Sequence, residues 1–194
     1  MADTKHFDPD TVLDTVVLLF WRRGTADTGI RDVLAATGLS RSSLYATFGG
    51  KRELQLAALE RYAEDRSRPP LDRLAADGRG LPAVEEFFAR LIDTRCTGAF
   101  AGWGCLVSNT HADAAPADPA VRTLLDRQHE RLRTALRTAL RHHPLAPGTD
   151  PDTAAEILAL LAHGINLRSR AGADPAHLRA VTTAAITALA PRPT

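Results

Sequence analysis

The chain has 194 residues, of which 44% are hydrophobic and 24% are charged, and its formal net charge is only +1. This apolar content is sufficient for a buried core in one compact domain or two small ones. The small net charge excludes a polycation, so a nucleic-acid site would have to be a local basic patch. No run of about 18 apolar residues occurs, and the N-terminus lacks the basic start and apolar stretch of a signal peptide. We therefore expect a globular cytoplasmic protein with no membrane partner.

The two cysteines, Cys96 and Cys105, are too few for a metal cluster and are expected to be free thiols in a reducing compartment. The chain is rich in Ala, Leu and Arg, and few segments alternate as strands do, which favours helices throughout. The sequence predicts an all-α fold of about nine helices, with no metal and no cofactor.

Four helices joined by short turns are predicted in the first third of the chain. The first runs from about Asp10 to Gly24, with apolar residues at i, i+3, i+4 and i+7. The second begins at Thr28, which has a side chain suited to an N-cap, and ends at Gly38. The third begins at Ser40, another cap residue, and a longer amphipathic helix follows the Gly-Gly pair after it.

The rest of the chain is predicted to be helical on both sides of a connector. Prolines and glycines interrupt the helical pattern at residues 67–82 and predict a connector or a short helical turn there. A loop of small residues is predicted at 97–104. Further helices are predicted at residues 83–96, 105–113, 116–143, 153–170 and 174–190.

Residues 28–54 have the pattern of a helix-turn-helix unit, whose second helix enters the DNA major groove. Gly38 can end the first helix because glycine adopts a positive φ without a Cβ clash. Leu44 and Phe48 face the core at i and i+4, so the other side chains of the second helix point outward. These outward residues are Arg41, Ser42, Ser43, Tyr45, Ala46 and Thr47. Residues 22–52 also carry six basic and two acidic side chains, which is a suitable charge for contact with phosphates and base edges.

A glycine-stopped helix pair also occurs in small bundles that bind no DNA, but the order of motifs here is more specific. The motifs are Thr28, Ile30, Val33 and Leu34, then Gly38-Leu39-Ser40, Ser43-Leu44-Tyr45, Phe48, Lys51 and Glu53-Leu54. In this order, residues 10–65 resemble the DNA-binding region of the TetR family of transcriptional repressors. The resemblance implies a helix-turn-helix DNA-binding domain over residues 1–52 and a helical effector-binding and dimerisation domain over residues 53–194.

The resemblance implies a role for several residues of the N-terminal domain. Tyr45 and Lys51 would bind backbone phosphates, and Thr28 would offer its hydroxyl and nearby amides to another phosphate. Arg41 and Ser42 are then the candidates for reading bases.

Ala46 and Thr47 depart from the family pattern, since many members have a His or Tyr and then a second aromatic residue there. These two small side chains could contact a thymine methyl group.

A homodimer on a palindromic operator is expected, because one such unit makes too few contacts for specific binding. The resemblance places the dimer surface on the last two helices. Alternatively, the same faces pack in the core of the chain itself. The candidate interface residues are Ile157, Leu160, Leu161, Gly164, Val181, Ala184, Ala185 and Leu189.

The middle helices would enclose a pocket for an unknown small-molecule effector, with apolar walls and a few polar groups. The alternative for most of these residues is an ordinary core position or, for His129, a solvated one. The candidates are Phe87, Phe88, Leu91, Ile92, Trp103, Cys105, Asn109, Leu125, His129, His163 and Asn166.

Cys105 has a second possible role as a reactive thiol. It lies at a predicted helix start, where the helix dipole can lower a thiol pKa and favour the thiolate. Some TetR members sense electrophiles or oxidants through cysteines, and Cys96 lies nine residues away across a Gly/Ala loop, so that a reversible disulfide is conceivable. The alternative is a buried, inert thiol.

An enzyme is not expected, because the sequence lacks a nucleophile elbow, a zinc-protease helix motif, a Cys-x-x-Cys pair and a complete P-loop. A loose G-x-G-x-x-A match at residues 78–83 has no preceding strand and contains Pro82. We therefore predict a DNA-binding regulator that an effector or thiol modification releases from its operator. The alternative is a helical adaptor that no longer binds DNA.

Overall fold

The computed structural model describes residues 7–113 and 118–191, which form helices and loops without any β-strand. The helices are α1 (Pro9–Arg23), α2 (Ile30–Thr37), α3 (Arg41–Phe48), α4 (Lys51–Tyr62), α5 (Arg68–Ala76), α6 (Leu81–Cys96), α7 (Leu106–Ala112), α8 (Pro119–Leu140), α9 (Pro151–Arg170) and α10 (Pro175–Thr187). The predicted all-α fold is confirmed. Residues 1–6 of the predicted N-terminal domain, residues 192–194 of the predicted C-terminal domain and the expected helical start at 116–117 lie outside the described residues. Over the described ranges, no helix has the length and apolarity needed to cross a membrane.

Four of the helices open on the same dipeptide, an aspartate followed by proline. The aspartate side chain accepts hydrogen bonds from amides of the first turn, and the proline needs no hydrogen-bond acceptor there. These N-caps are Asp8 of α1, Asp118 of α8, Asp150 of α9 and Asp174 of α10. The first helix thus begins slightly before Asp10, where the sequence placed it.

Of the two alternatives for residues 67–82, a connector or a short helical turn, the first half is helical, since α5 occupies Arg68–Ala76, and the loop is confined to residues 77–80. A π-helical turn, Ala63–Ser67, joins α4 to α5, and the residues at both of its ends keep right-handed helical dihedral angles. Pro69 and Pro70 lack an amide N–H and would clash with carbonyls of a regular preceding turn. The wider turn before them allows α4 to continue into α5 without a break. Counted in this way, the described helices form nine continuous rods, one of which runs from Lys51 to Ala76.

Apolar side chains form two clusters. The first, which we call the head core, packs α1 to α4 against α7 and the start of α8. The second packs α6, α8, α9 and α10 together with Leu74 of α5. Because the head core includes Leu54, Leu59 and Tyr62 of α4, it extends past residue 52.

Trp21 of α1 joins the head core to the loop between α6 and α7. It is 1% exposed, and its indole N–H donates to the carbonyl of Gly104 at 3.0 Å. Its ring centroid lies 5.0 Å from that of Tyr62, 4.8 Å from that of Phe100 and 5.4 Å from that of Trp103. This aromatic cluster fixes the head against the rest of the molecule.

Candidate nucleic-acid interface and internal cavity

Helix α3 presents a polar face because Leu44 holds its other face in the head core. Leu44 is fully buried and Phe48 is half-buried against the same core. Ser40 caps the helix by accepting the amide of Ser43 at 3.1 Å. The outward residues Arg41, Ser42, Tyr45, Ala46 and Thr47 are exposed, and Ser43 is half-buried.

Tyr45 lies beside the N-terminus of α4. It is 44% exposed, and a Cβ built on Gly50 would stand 3.6 Å from its ring. Gly49 has φ +85°, a conformation that glycine adopts without strain and that turns the chain sharply from α3 into α4. Lys51 is the first residue of α4, so the phenol, the lysine and the free amides of a helix N-terminus share one surface.

The cations on this surface are available for an external anion. Within the described ranges, Arg31, Arg41 and Lys51 have no carboxylate within 4.0 Å. By contrast, Arg52 forms an ion pair with Asp118 and is therefore not available for an external anion.

The N-cap prediction for Thr28 is wrong. Helix α2 begins at Ile30, and Gly29 is its N-cap, with its amide held by the Asp32 side chain at 2.8 Å. Thr28 is fully buried, and its hydroxyl donates to the carbonyl of Gly24 at 2.7 Å. Because that hydrogen is already used inside the head, this hydroxyl is not presented to a phosphate.

A cavity of about 500 Å³ lies between the π-helical turn and helices α5 to α9. Its size is that of a small-molecule site. The apolar part of its wall includes Pro70, Leu71, Leu74, Phe87, Leu91 and Leu132. The polar part includes Arg95, Ser108, Gln128, His163 and Asn166.

Five of the eleven predicted pocket residues line this cavity. They are Phe87, Leu91, Cys105, His163 and Asn166. Cys105 is the N-cap of α7, as the sequence suggested, and is 7% exposed. Both cysteines are free thiols, and burial raises the pKa of Cys96, which ends α6.

The other six predicted pocket residues lie outside the cavity wall. Phe88, Ile92 and Leu125 are buried in the two apolar clusters, and Trp103 packs against the rings of the head core. Asn109 donates to the carbonyl of Trp103 at 2.9 Å. His129 hydrogen-bonds His163 and Glu156 instead of facing the cavity.

Sequence reasoning missed Gln128, which is 5% exposed and lines the cavity. Within residues 7–113 and 118–191, neither its side-chain nitrogen nor its side-chain oxygen has a hydrogen-bond partner. The sequence did contain a signal for it. Gln128 stands four residues from both Leu124 and Leu132, so it is the polar member of the inward stripe of α8.

A chain of hydrogen bonds runs from the cavity wall to the surface. The Ser108 hydroxyl lies 3.0 Å from His163 Nδ1, His163 Nε2 lies 3.2 Å from His129 Nδ1, and His129 Nε2 lies 3.2 Å from Glu156. A carboxylate only accepts, so His129 donates to it, His163 donates to His129 and Ser108 donates to His163. Burial, with smaller contributions from His111 and His129, lowers the pKa of His163 to about 4, which keeps His163 neutral near pH 7.

Comparison with known proteins identifies the family. Residues 12–58 match the model of the bacterial regulatory proteins of the tetR family, and residues 80–185 match that of the tetracyclin repressor-like C-terminal domain. The chain belongs to the TetR family. It is a DNA-binding transcriptional regulator, as the sequence predicted.

Three relatives show how far the TetR similarity extends. YezE of Bacillus subtilis strain 168, an HTH-type transcriptional regulator, is 30% identical over 135 residues, which cover 70% of this chain and 69% of YezE. ComR of Escherichia coli K12, an HTH-type transcriptional repressor, is 27% identical over 175 residues, or 88% of this chain and 83% of ComR. A cysteine mutant of the TetR regulator CifR, solved with 26-bp operator DNA, has a TM-score of 0.84 at 26% identity and covers 96% of this chain and 99% of CifR.

TetR regulators are dimeric, so a second copy and operator DNA are the partners of this chain. Helices α9 and α10 carry four of the six exposed large hydrophobic side chains of the described residues, namely Ile157, Leu160, Leu167 and Val181. Among the other predicted interface residues, Ala184 is exposed, and Leu161, Gly164 and Ala185 are half-buried. Leu189 is a correction, because it is 8% exposed and packs in the core of its own chain.

Proposed function

We propose that the chain is a transcriptional repressor that a small molecule releases from a palindromic operator. The observation that carries this proposal is the pairing of an exposed polar α3 with an internal cavity, both contacted by the one rod Lys51–Ala76. The relative ComR is a transcriptional repressor, which supports repression over activation for this chain. We further propose that the protein acts by binding, without catalysis, in the cytoplasm, where the chromosome lies.

In the proposed complex, α3 lies in the major groove. Arg41 reads bases, while Tyr45 and Lys51 hold backbone phosphates on either side of the turn between α3 and α4. The other outward residues of α3 complete the proposed contact surface, namely the half-buried Ser43 and the exposed Ser42, Ala46 and Thr47. The proposed DNA-binding domain is residues 1–52, with an apolar core that continues into α4, and residues 53–194 form the proposed effector and dimerisation domain.

The π-helical turn is the proposed link between the two functions. Asp65, Arg66 and Ser67 of this turn line the cavity, and irregular helical turns of this kind are frequent at functional sites. A ligand against the turn would tilt α4 and change the separation of the two recognition helices. If the ligand binds the DNA-incompetent form about 100-fold more tightly, it biases the equilibrium by about 2.7 kcal/mol per site.

Lys51→Ala is expected to weaken binding to operator and to unrelated DNA alike, because it removes one phosphate contact. The slope of log affinity against log salt should fall by about one ion. Titrations by fluorescence anisotropy at several salt concentrations measure both quantities.

Two further variants sharpen this experiment. Arg41→Ala should relax the preference for operator over unrelated DNA, and Arg141→Ala, at the exposed end of α8, should change neither quantity. Unaltered affinity and salt slope in Lys51→Ala would show that α4 does not meet the backbone.

Thiol modification is a second proposed trigger, favoured by the place of Cys105 in the cavity wall beside Tyr62. N-ethylmaleimide, which adds to a thiolate sulfur across its double bond, is expected to release DNA from the wild type. Cys105→Ser should resist release, whereas the matched variant Cys96→Ser should still respond. Gel shifts before and after treatment decide this, and equal release from Cys105→Ser and wild type would contradict a role for Cys105.

A further inference from the structure

Gln128 gives the cavity a polar group that has no hydrogen-bond partner among the residues that the structure describes. A buried primary amide without partners is unfavourable, and the great majority of such groups in folded proteins are hydrogen-bonded. Its neighbours on the inward stripe of α8 are Leu124 and Leu132, which offer neither donor nor acceptor. A ligand in this cavity can therefore gain hydrogen bonds here without breaking any bond within the protein.

The negative charges of the carboxylates in the cavity wall are already compensated. Each of the three forms an ion pair with an arginine. The pairs are Asp65 with Arg61 at 2.8 Å, Asp77 with Arg79, and Glu86 with Arg79 and Arg90, each at 2.6 Å. Arg79 lowers the pKa of Asp77 to about 2 and, with Arg90, also lowers that of Glu86, so these two carboxylates stay ionised.

Three other arginines of the wall carry uncompensated charge. In the described part of the chain, no carboxylate lies within 4.0 Å of Arg66, Arg73 or Arg95. Arg66 and Arg73 are exposed, where water screens them, but Arg95 is half-buried. A half-buried guanidinium without a counter-ion attracts an anion more strongly than an exposed one does.

Arg95 is held in place by neutral acceptors. Its Nε donates to Asn166 Oδ1 at 2.6 Å, and its Nη2 lies 3.5 Å from the Tyr62 hydroxyl. These bonds orient the guanidinium and leave its remaining N–H groups for a ligand. Planar N–H groups of this kind match the two oxygens of a carboxylate.

We propose that the effector is an amphipathic organic anion, with a carboxylate-type head bound by Arg95 and Gln128 and an apolar body against Leu71, Phe87 and Leu91. This inference rests on the proposed effector role of the cavity. The Gln128 amide N–H donates to the head, and a cationic head is rejected by the uncompensated arginines. The apolar body replaces water along the wall formed by α5 and α6.

Binding of the anionic group of the ligand would also affect the DNA-binding part of the molecule. Arg95 stacks over the ring of Trp21 at 5.8 Å and reaches Tyr62 at the end of α4. An anion that draws the guanidinium toward the cavity therefore acts on two side chains of the head core. Release of DNA is the consequence expected from this contact.

The test uses the full-length dimer and four probes that share one ten-carbon chain: decanoate, decanamide, 1-decanol and decylammonium. Isothermal titration calorimetry is expected to show that decanoate binds at least about tenfold more tightly than the two neutral probes. Decylammonium should bind most weakly. Equal binding of all four probes, preference for the ammonium, or no binding of decanoate would each overturn the proposal.

Two variants test the assigned residues. Gln128→Glu, which keeps the shape and adds a negative charge, should lose decanoate and gain decylammonium. Arg95→Gln, which keeps a donor for Asn166, should bring decanoate to the affinity of 1-decanol. Arg141→Gln, at an exposed residue that does not line the cavity, is the control and should behave as wild type. Unchanged probe preference in a folded Arg95→Gln variant would overturn the assignment even if Gln128→Glu fails to fold.

A DNA-binding titration separates this proposal from the proposed function. If decanoate binds with the expected preference while DNA stays bound, the ligand class stands and release by ligand fails. If DNA binding is intact and an uncharged compound that occupies the cavity releases it, while decanoate does not bind, the regulator stands and the anion proposal fails.

Discussion

Leu160→Asp is expected to lower operator affinity at least about 100-fold at nanomolar protein, because it should prevent dimerisation. Leu160 is 58% exposed and Ile157, one turn before it on α9, is 51% exposed, so both offer apolar surface to a partner. Burial of a carboxylate in such an apolar interface is strongly unfavourable, because its charge loses its hydration. A monomer would have only one recognition helix, whereas the operator needs two that lie about 34 Å apart.

Sedimentation velocity and operator titration measure the two parts of this prediction. Leu18→Asp is the matched control, because Leu18 is 38% exposed on α1, away from α9 and α10. We expect that control to remain dimeric. A Leu160→Asp protein that stays dimeric with wild-type affinity would show that this face is not the interface.

Trp21→Ala is expected to reduce the free energy of unfolding by about 3–5 kcal/mol, the usual cost of removing a fully buried aromatic side chain. The loss would empty the space between Tyr62, Phe100 and Trp103 and free the carbonyl of Gly104. Urea unfolding followed by circular dichroism measures the change, provided that the slope with denaturant stays the same.

Trp21→Phe is the matched variant, since it keeps a ring but loses the N–H donor. Trp21→Phe should reduce the free energy of unfolding by about 1–3 kcal/mol, which is less than for Trp21→Ala. This remaining cost comes from the unpaired carbonyl and the smaller ring. A Trp21→Ala protein that loses less than about 1 kcal/mol would contradict the role given to this cluster.

The helices and the outward face of α3 could be predicted because their signals are local. Aspartate or serine caps, proline at the first helical position and glycine stops mark most of the boundaries. The spacing of Leu44 and Phe48 was enough to orient α3. Thr28 was misplaced because the sequence did not show that its hydroxyl would turn back to the carbonyl of Gly24, four residues earlier.

The cavity was only partly predictable because it depends on which stripe of α6 faces which neighbour. Phe87 and Leu91 form one i, i+4 stripe and line the cavity, whereas Phe88 and Ile92 form the adjacent stripe and lie in the core. Both stripes are apolar, so periodicity alone could not separate them. The hydrogen bonds of His163 join residues 55 and 34 positions apart, and no local pattern reports such pairs.

In the proposed release, the rod that begins at Lys51 would act as a lever that pivots at the turn Ala63–Ser67. Its arm from Lys51 to Tyr62 has 12 residues and is therefore about 18 Å long. A swing of about 10° at the fulcrum moves the far end by about 3 Å, the length of one hydrogen bond. In the proposed mechanism, a swing of this size would be sufficient to break the contact of Lys51 with a phosphate.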